Sequence, residues 1–347
     1  MKQYHDLIRQ TIANGTYKPN RTGVDTISNF SHHYSIDLKN GFPLITTKDL
    51  SGYRWNSLLH EIDWYLSGEE HIRNLKEETK IWNAWASEKG ELDTAYGRFW
   101  RRYPIPNEIN HLPGETWVNT TEGRWENNED IDPSRWINNQ DTPKGRPTFD
   151  QLQYVVDMLN ENPHSRRLVI NAWHPSNAAI STLPPCHFTY VLNVQGDKLN
   201  CHLTQRSGDI ALGIPFNIAA YAILTKIIAM ETGFEVGKFS HTIADAHIYC
   251  GSKQRGEFYG EELPTIKHKL NVEGAEGAIE YIKNNAPREP DDNEDHLPGL
   301  LMQTTRSPYD RPNLKINEQC RIDNFDREMV ELRNYTSHDG IKFKVAE

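Results

Sequence analysis

Two apolar-rich runs, 187–194 and 198–205, flank the dipeptide Gly196-Asp197. A two-residue turn of that kind joins antiparallel strands, so this stretch commits the chain to a β-hairpin. Beyond it, the apolar pattern from about Asn217 to Thr232 predicts a helix that stops at Gly233, a residue free to take the left-handed conformation of a helix end. Upstream, the spacing predicts a helix from about Tyr4, a polar turn cluster over 20–26, and an amphipathic helix carrying Leu58, Leu59, Ile62, Tyr65 and Leu66. A helix over 149–159 and a strand over 167–173 follow. Strands and helices in this irregular order point to an α+β fold rather than a repeated βαβ unit.

The 347 residues, 37% of them hydrophobic, suffice for one large core or two smaller ones. The stretches 105–147 and 286–312, rich in acidic residues and Pro, read as surface insertions in a single domain spanning 1–347, because composition does not shift between them. With 38 Lys+Arg against 48 Asp+Glu, the net charge of -10 argues against a nonspecific nucleic-acid binder, which needs a basic face. An anionic ligand must therefore be held by local arginines. Cys186, Cys201, Cys250 and Cys320 are too sparse for a disulfide scaffold and lack CxxC spacing, so no metal is expected and a reducing cytoplasm is the simplest setting. The N-terminus opens into a helical pattern without a secretory signal, and no segment is expected to reach the apolar length of a membrane span.

Chemistry concentrates in a few motifs. A lone cysteine is usually an inert buried hydrophobe. Cys186, however, follows two prolines, precedes His187, and has Arg166, Arg167 and Arg206 as candidate sources of the positive potential that activates a thiol. Cys201 and Cys250 have no such company. Arg206-Ser207 sets a planar five-donor fork beside a hydroxyl, which suits a phosphate, and Arg166-Arg167 is a second candidate anion site. Asn217 either caps the helix that follows Pro215-Phe216 or reads a pyrimidine edge with its paired donor and acceptor. Glu61 falls close to the apolar stripe of its helix, where a carboxylate is commonly a solvated edge residue and in a minority of cases catalytic.

In order along the chain stand Pro184-Pro185-Cys186-His187, Gln205-Arg206-Ser207, Gly213-Ile214-Pro215-Phe216-Asn217 and Asp245-Ala246-His247-Ile248-Tyr249. Together they resemble the thymidylate synthase and pyrimidine hydroxymethylase family. The likeness continues through Arg21-Thr22-Gly23, Gly41 to Lys48, His60-Glu61, Ile81-Trp82 with Trp85, Tyr96-Gly97, Ser165-Arg166-Arg167 and Phe325-Asp326. The resemblance implies a large mixed sheet flanked by helices, with the sheets of two subunits back to back in a homodimer. It implies reductive methylation of deoxyuridylate (dUMP) by 5,10-methylenetetrahydrofolate, giving thymidylate and dihydrofolate.

Roles carried over with the resemblance assign Cys186 as the nucleophile at uracil C6, Asn217 as the reader of O4 and N3, Glu61 as organiser of water at O4, and Tyr96 as the group that helps remove the C5 proton. Arg21, Arg206 and Ser207 hold the phosphate; Arg166, counted also with the catalytic set, and Arg167 reach it from the partner subunit. His247 and Tyr249 bind the 3'-hydroxyl. Ile81, Trp82, Trp85, Leu183, Leu212, Gly213 and Phe216 wall the folate, with Ala346 in the closing tail. Asp209 bonds the pterin beside the nucleotide, and Lys48 meets the glutamate tail.

Departures from the family pattern fall at Asp49, at the extra residues 50–54, at Cys250-Gly251-Ser252 in place of Asn-His after Tyr249, and in a C-terminal tail, 337–347, without prolines. They keep a deoxyuridylate hydroxymethylase open as the alternative, in which water captures the one-carbon unit. A nucleic-acid-binding regulator on the same fold is disfavoured by the net acidity.

Overall fold

The computed structural model of the protein describes residues 1–20, 22–92, 95–104, 133–138, 148–288 and 294–346. The chain divides into two compact units, Met1–His60 with Cys186–Glu347, and Glu61–Pro185.

In the first unit the strands β1 (Thr16–Lys18), β2 (Val24–Asp37), β3 (His187–Gln195), β4 (Lys198–Asp209) and β5 (Glu235–Ser252) lie side by side in the order β1-β2-β5-β4-β3. The β3–β4 hairpin turns at Gly196, whose φ of 65° needs no Cβ to be comfortable. Pairing is antiparallel except between β4 and β5, which run parallel, so the sheet is mixed. A parallel pair needs a crossover, and the helix Gly213–Thr232 supplies it. That helix is apolar all round because it is buried all round, with Ile214, Ile218, Ile223 and Ile227 fully enclosed. It ends where the sequence predicts, at Gly233 with φ 77°.

The register sets one end of this sheet. His187 pairs with Gln205, Ser207 with Asp245, Asp209 with His247, and Ser28 with His247 from the other side. Cys186 stands immediately before β3, so the thiol, Arg206-Ser207, Asp209 and His247 are delivered by three neighbouring strands. The N-terminal helix Lys2–Asn14 buries Leu7, Ile8 and Ile12.

The second unit is built on aromatic packing. Residues 61–67 of the helix Tyr53–Ser67 carry Trp64 and Tyr65, whose rings meet Trp82 at 5.4 Å and Tyr96 at 5.3 Å. The helix Tyr96–Arg101 approaches them closely because Gly97 has no side chain. A Cβ there would come within 2.7 Å of the Tyr65 carbonyl oxygen. The helix Gln151–Glu161 is capped by Asp150, which accepts from Gln153 N at 2.9 Å.

Several expectations are corrected. The helix predicted from 149 begins at Gln151, because Thr148–Phe149 pairs as a short strand. The strand predicted over 167–173 is only Val169–Asn171. The crossover helix is, by length and composition, long and apolar enough to span a membrane, contrary to the expectation that no segment reaches that length; it is mostly buried inside the protein, as a core helix must be. Most of 105–147 lies outside the described residues, but Trp136 is buried and its indole donates to Asp157 at 2.8 Å. Of the stretch 286–312, expected on the surface, Leu297–Thr305 forms a helix that buries Leu297, Leu300 and Leu301. Apolar side chains at that spacing had a core to enter.

Candidate active site

The hairpin brings thiol and guanidinium together. Arg206 N donates to the Cys186 carbonyl at 2.9 Å, and Arg206 Nη2 lies 3.5 Å from Cys186 Sγ. Both residues are half-buried, and a cation beside a sulfur stabilises the charged, nucleophilic form. Ser207 follows on the same strand and is half-buried too. The other cysteines are enclosed: burial pushes the Cys201 thiol up to about 12 and that of Cys320 up to about 11. His187, next to Cys186, is buried against Tyr221, with Nδ1 2.9 Å from the phenol oxygen, and burial takes its imidazole down to about 3. It is a neutral structural partner of Tyr221 at neutral pH.

Asn217 is not the helix cap. The crossover helix starts at Gly213, with Pro215 tolerated in its first turn, so Asn217 sits inside it and is buried. A chain of hydrogen bonds fixes the orientation of its carboxamide. Gln205 Nε2 donates to Ser207 O at 2.9 Å, and because a carbonyl only accepts, the Gln205 amide nitrogen must face that way. Its second hydrogen goes to Asn217 Oδ1 at 3.1 Å, while Gln205 Oε1 accepts from His241 Nε2 at 2.9 Å. His241, buried among other imidazoles and held neutral by desolvation, accepts at Nδ1 from Tyr34 Oη at 2.7 Å. The Asn217 oxygen is thereby turned to Gln205 and its Nδ2 turned away, a donor and an acceptor on one edge.

At the far end of β4, Asp209 Oδ1 accepts from Ala211 N at 2.8 Å. Gly213 lies between Asp209 and Asn217, since a Cβ on it would be 3.9 Å from Asp209 Cβ and 3.8 Å from Asn217 Oδ1. Leu212 and Phe216, half-buried, flank this turn. The His247 and Tyr249 rings meet edge to face at 5.1 Å. On its other side Tyr249 meets His296 at 5.6 Å, a residue that sequence reasoning missed. The Tyr249 carbonyl accepts from His296 N at 2.9 Å, and Cys250 pairs with Asp295, so the chain returns to this strand end after the long helical excursion Lys253–Asn285.

Lys48 is turned inward. It is buried, Nζ donates to Ala211 O at 2.7 Å, and the Phe343 ring lies 4.8 Å from the ammonium. Burial lowers its pKa to about 8, against the Asp209 charge, which raises it. The ammonium is thus enclosed beneath the tail that carries Phe343. Ala346, near the end of the same tail, is half-buried.

In the second unit Glu61 is buried, not solvated. Trp82 Nε1 donates to its Oε1 at 2.7 Å. Burial raises the carboxyl to about 7, and the hydrogen bonds from Tyr65 and Trp82 only partly oppose it. A carboxyl poised there exchanges a proton readily at neutral pH. Trp82 also meets Trp85 at 5.6 Å and Tyr96 at 5.8 Å, so Glu61, Tyr96 and the two tryptophans form one cluster. Ile81 and Leu183 are half-buried, whereas Arg166 and Arg167 are exposed. Arg21 lies outside the described residues. Among the described residues no His, Cys, Asp and Glu group is placed to hold a metal ion.

The thymidylate synthase family model matches residues 2–347. A thymidylate synthase of Haloferax volcanii is 56% identical over 348 aligned positions, which cover 99% of this chain and 96% of that protein.

Proposed function

The chain belongs to the thymidylate synthase family, and from that membership we propose that it methylates dUMP reductively through a covalent bond from Cys186 to C6 of the uracil. Methyl transfer is the family's activity. The one-carbon unit and the hydride both come from 5,10-methylenetetrahydrofolate, which leaves as dihydrofolate. The observation that carries the mechanism is the 3.5 Å approach of Arg206 to the Cys186 thiol on paired strands. A thiolate adding at C6 leaves C5 electron-rich, the position that must attack the one-carbon unit. Arg206 and Ser207 hold the phosphate with Arg21, and Arg166 and Arg167 serve the phosphate of a partner subunit in a homodimer packed sheet to sheet.

Asn217 reads the base. Its turned-out Nδ2 donates to O4, and its oxygen, already fixed by Gln205, accepts from N3–H. Glu61 moves a proton through water at O4, a role that fits a carboxyl near pH 7, and Tyr96 assists loss of the C5 proton. His247 and Tyr249 bind the sugar hydroxyl, and Asp209 bonds the pterin. Trp82, Trp85, Ile81, Leu183, Leu212, Gly213, Phe216 and Ala346 exclude water from the reacting carbon. The match over 2–347 supports reading 1–347 as one catalytic domain, and its free thiols suit a cytoplasmic setting.

The test is a product assay with dUMP and methylenetetrahydrofolate, following nucleotide mass and dihydrofolate together. Thymidylate with an equimolar amount of dihydrofolate is expected. A 5-hydroxymethyl nucleotide with no dihydrofolate would overturn the methyl-transfer reading and leave a hydroxymethylase.

A further inference from the structure

His296 is fully buried, yet only one of its ring nitrogens is satisfied. Nε2 lies 2.8 Å from the carbonyl oxygen of Lys344, and since a carbonyl only accepts, Nε2 carries hydrogen and donates. Nδ1 has no hydrogen-bond partner and stands 3.8 Å from Asp209 Oδ1. A buried ring nitrogen left unpaired costs stability, so its retention beside a carboxylate calls for a reason. Tyr249 meets the ring edge to face at 5.6 Å, and the other contacts involve the C-terminal tail. The Phe343 ring packs on the imidazole at 4.9 Å, Lys344 Nζ donates to Glu294 at 2.7 Å, and Gly299 lets Phe343 in, since a Cβ there would fall 2.7 Å from its ring.

We propose that His296 is a positioning residue that latches the C-terminal tail to the Asp209 end of the sheet, donating to the Lys344 carbonyl from Nε2 while Nδ1 faces the carboxylate. This rests on the reading of Asp209 as the folate's anchor. A pterin that donates to Asp209 then meets a carboxylate whose other neighbour already holds the tail down. Burial alone would raise the Asp209 carboxyl; the His296 and His247 imidazoles and the Ala211 N–H outweigh it and keep the group below its ordinary value, ready to accept. Loss of the latch frees the tail and weakens folate; the His296 ring also meets Tyr249 at 5.6 Å, and a phenylalanine keeps an aromatic ring there, so nucleotide binding is spared.

The experiment uses the full chain, the variants His296→Phe and His296→Gln, and each combined with removal of residues 344–347. Amide hydrogen exchange over 338–343 in the free protein reports the tail, independently of activity. Steady-state kinetics report KM for methylenetetrahydrofolate at saturating dUMP, and a fluorescence titration reports dUMP binding. His296→Phe should speed tail exchange at least tenfold and raise the folate KM about tenfold, the effect of one lost hydrogen bond, with kcat within about threefold and dUMP affinity within about twofold. His296→Gln, which keeps a donor, should restore most of the tail protection. In the truncated chain the Phe substitution should add less than about twofold to the folate KM. The inference is overturned if His296→Phe leaves tail exchange and folate KM unchanged, if Gln behaves like Phe, or if dUMP affinity falls in parallel with folate. If the tail responds as described but the wild-type protein makes no thymidylate, the functional reading fails and the latch stands.

Discussion

Replacing Trp82 with Phe removes the indole donor from Glu61 while keeping an aromatic ring in the cluster, and its effect can be worked from the site. The carboxyl sits at about 7 because burial outweighs its hydrogen bonds, of which Trp82 Nε1 at 2.7 Å is one. A hydrogen bond to a charged group is worth about 1.5–3 kcal/mol, and each pKa unit is about 1.4 kcal/mol, so losing it should raise the carboxyl by roughly one to two units. If ionised Glu61 is the working form, activity rises with pH through this pKa. With the carboxyl moved to roughly 8.5, the ionised fraction at pH 7.5 falls from about three-quarters to about one-tenth, close to an eightfold loss of rate. At pH 9.5 the two proteins should agree to within about twofold. The assay is kcat against pH for dUMP, with folate saturating at every point. A uniform loss at all pH values, with the ascending limb unmoved, would refute the argument and reduce Trp82 to a wall of the folate site.

The same carboxyl makes a stability prediction of defined sign. Its folded pKa of about 7 stands above the ordinary 4.5, so the folded state holds the proton more tightly and stability is lost as pH rises from about 4.5 through 7. Glu61→Gln, which cannot ionise, should therefore resist urea better by up to roughly 3 kcal/mol at pH 8 and gain nothing at pH 4; an equal change at both pH values would mean that ionisation is not the cause. Asn217→Asp keeps an acceptor for Gln205 but loses the donor for O4, so kcat/KM for dUMP should fall on the order of 100-fold or more while binding of deoxycytidylate, which offers an amine there, improves. An unchanged preference between the two nucleotides, measured by competition, would move base selection to another residue.

What the sequence disclosed was local. Counting back from the Gly196-Asp197 turn sets Cys186 opposite Ser207, and the one-residue register shift between His187 and Thr189 moves the pairing to Arg206, whose N donates to the Cys186 carbonyl. Gly233 was legible for the same reason: a helix end needs a left-handed residue in one place. The start of that helix was not. Pro215 looks like a break, yet proline is well suited to a first turn, and placing the start at Gly213 rather than Asn217 turns a cap into a buried residue of the helix interior.

The harder residues are those whose surroundings are assembled from far along the chain. Glu61 looked like an edge carboxylate because the helical pattern around it is all that the sequence displays locally. Tyr65 was in view one turn on, but the indole of Trp82 comes from outside the helix, and burial by such partners is what raises the carboxyl. The surroundings of Lys48 are likewise assembled from afar, by the tail ring of Phe343 and the Ala211 carbonyl that turn it inward. His296 is the limiting case. The departure at Cys250-Gly251-Ser252 suggested that a histidine beside Tyr249 had been lost. Beyond the helical excursion Lys253–Asn285, the pairing of Cys250 with Asp295 brings a histidine, His296, to the Tyr249 carbonyl. Strand pairing brings together residues whose spacing in the sequence hides the contact, because the sheet fixes where a residue stands and the intervening segment fixes only how far the chain travels to get there.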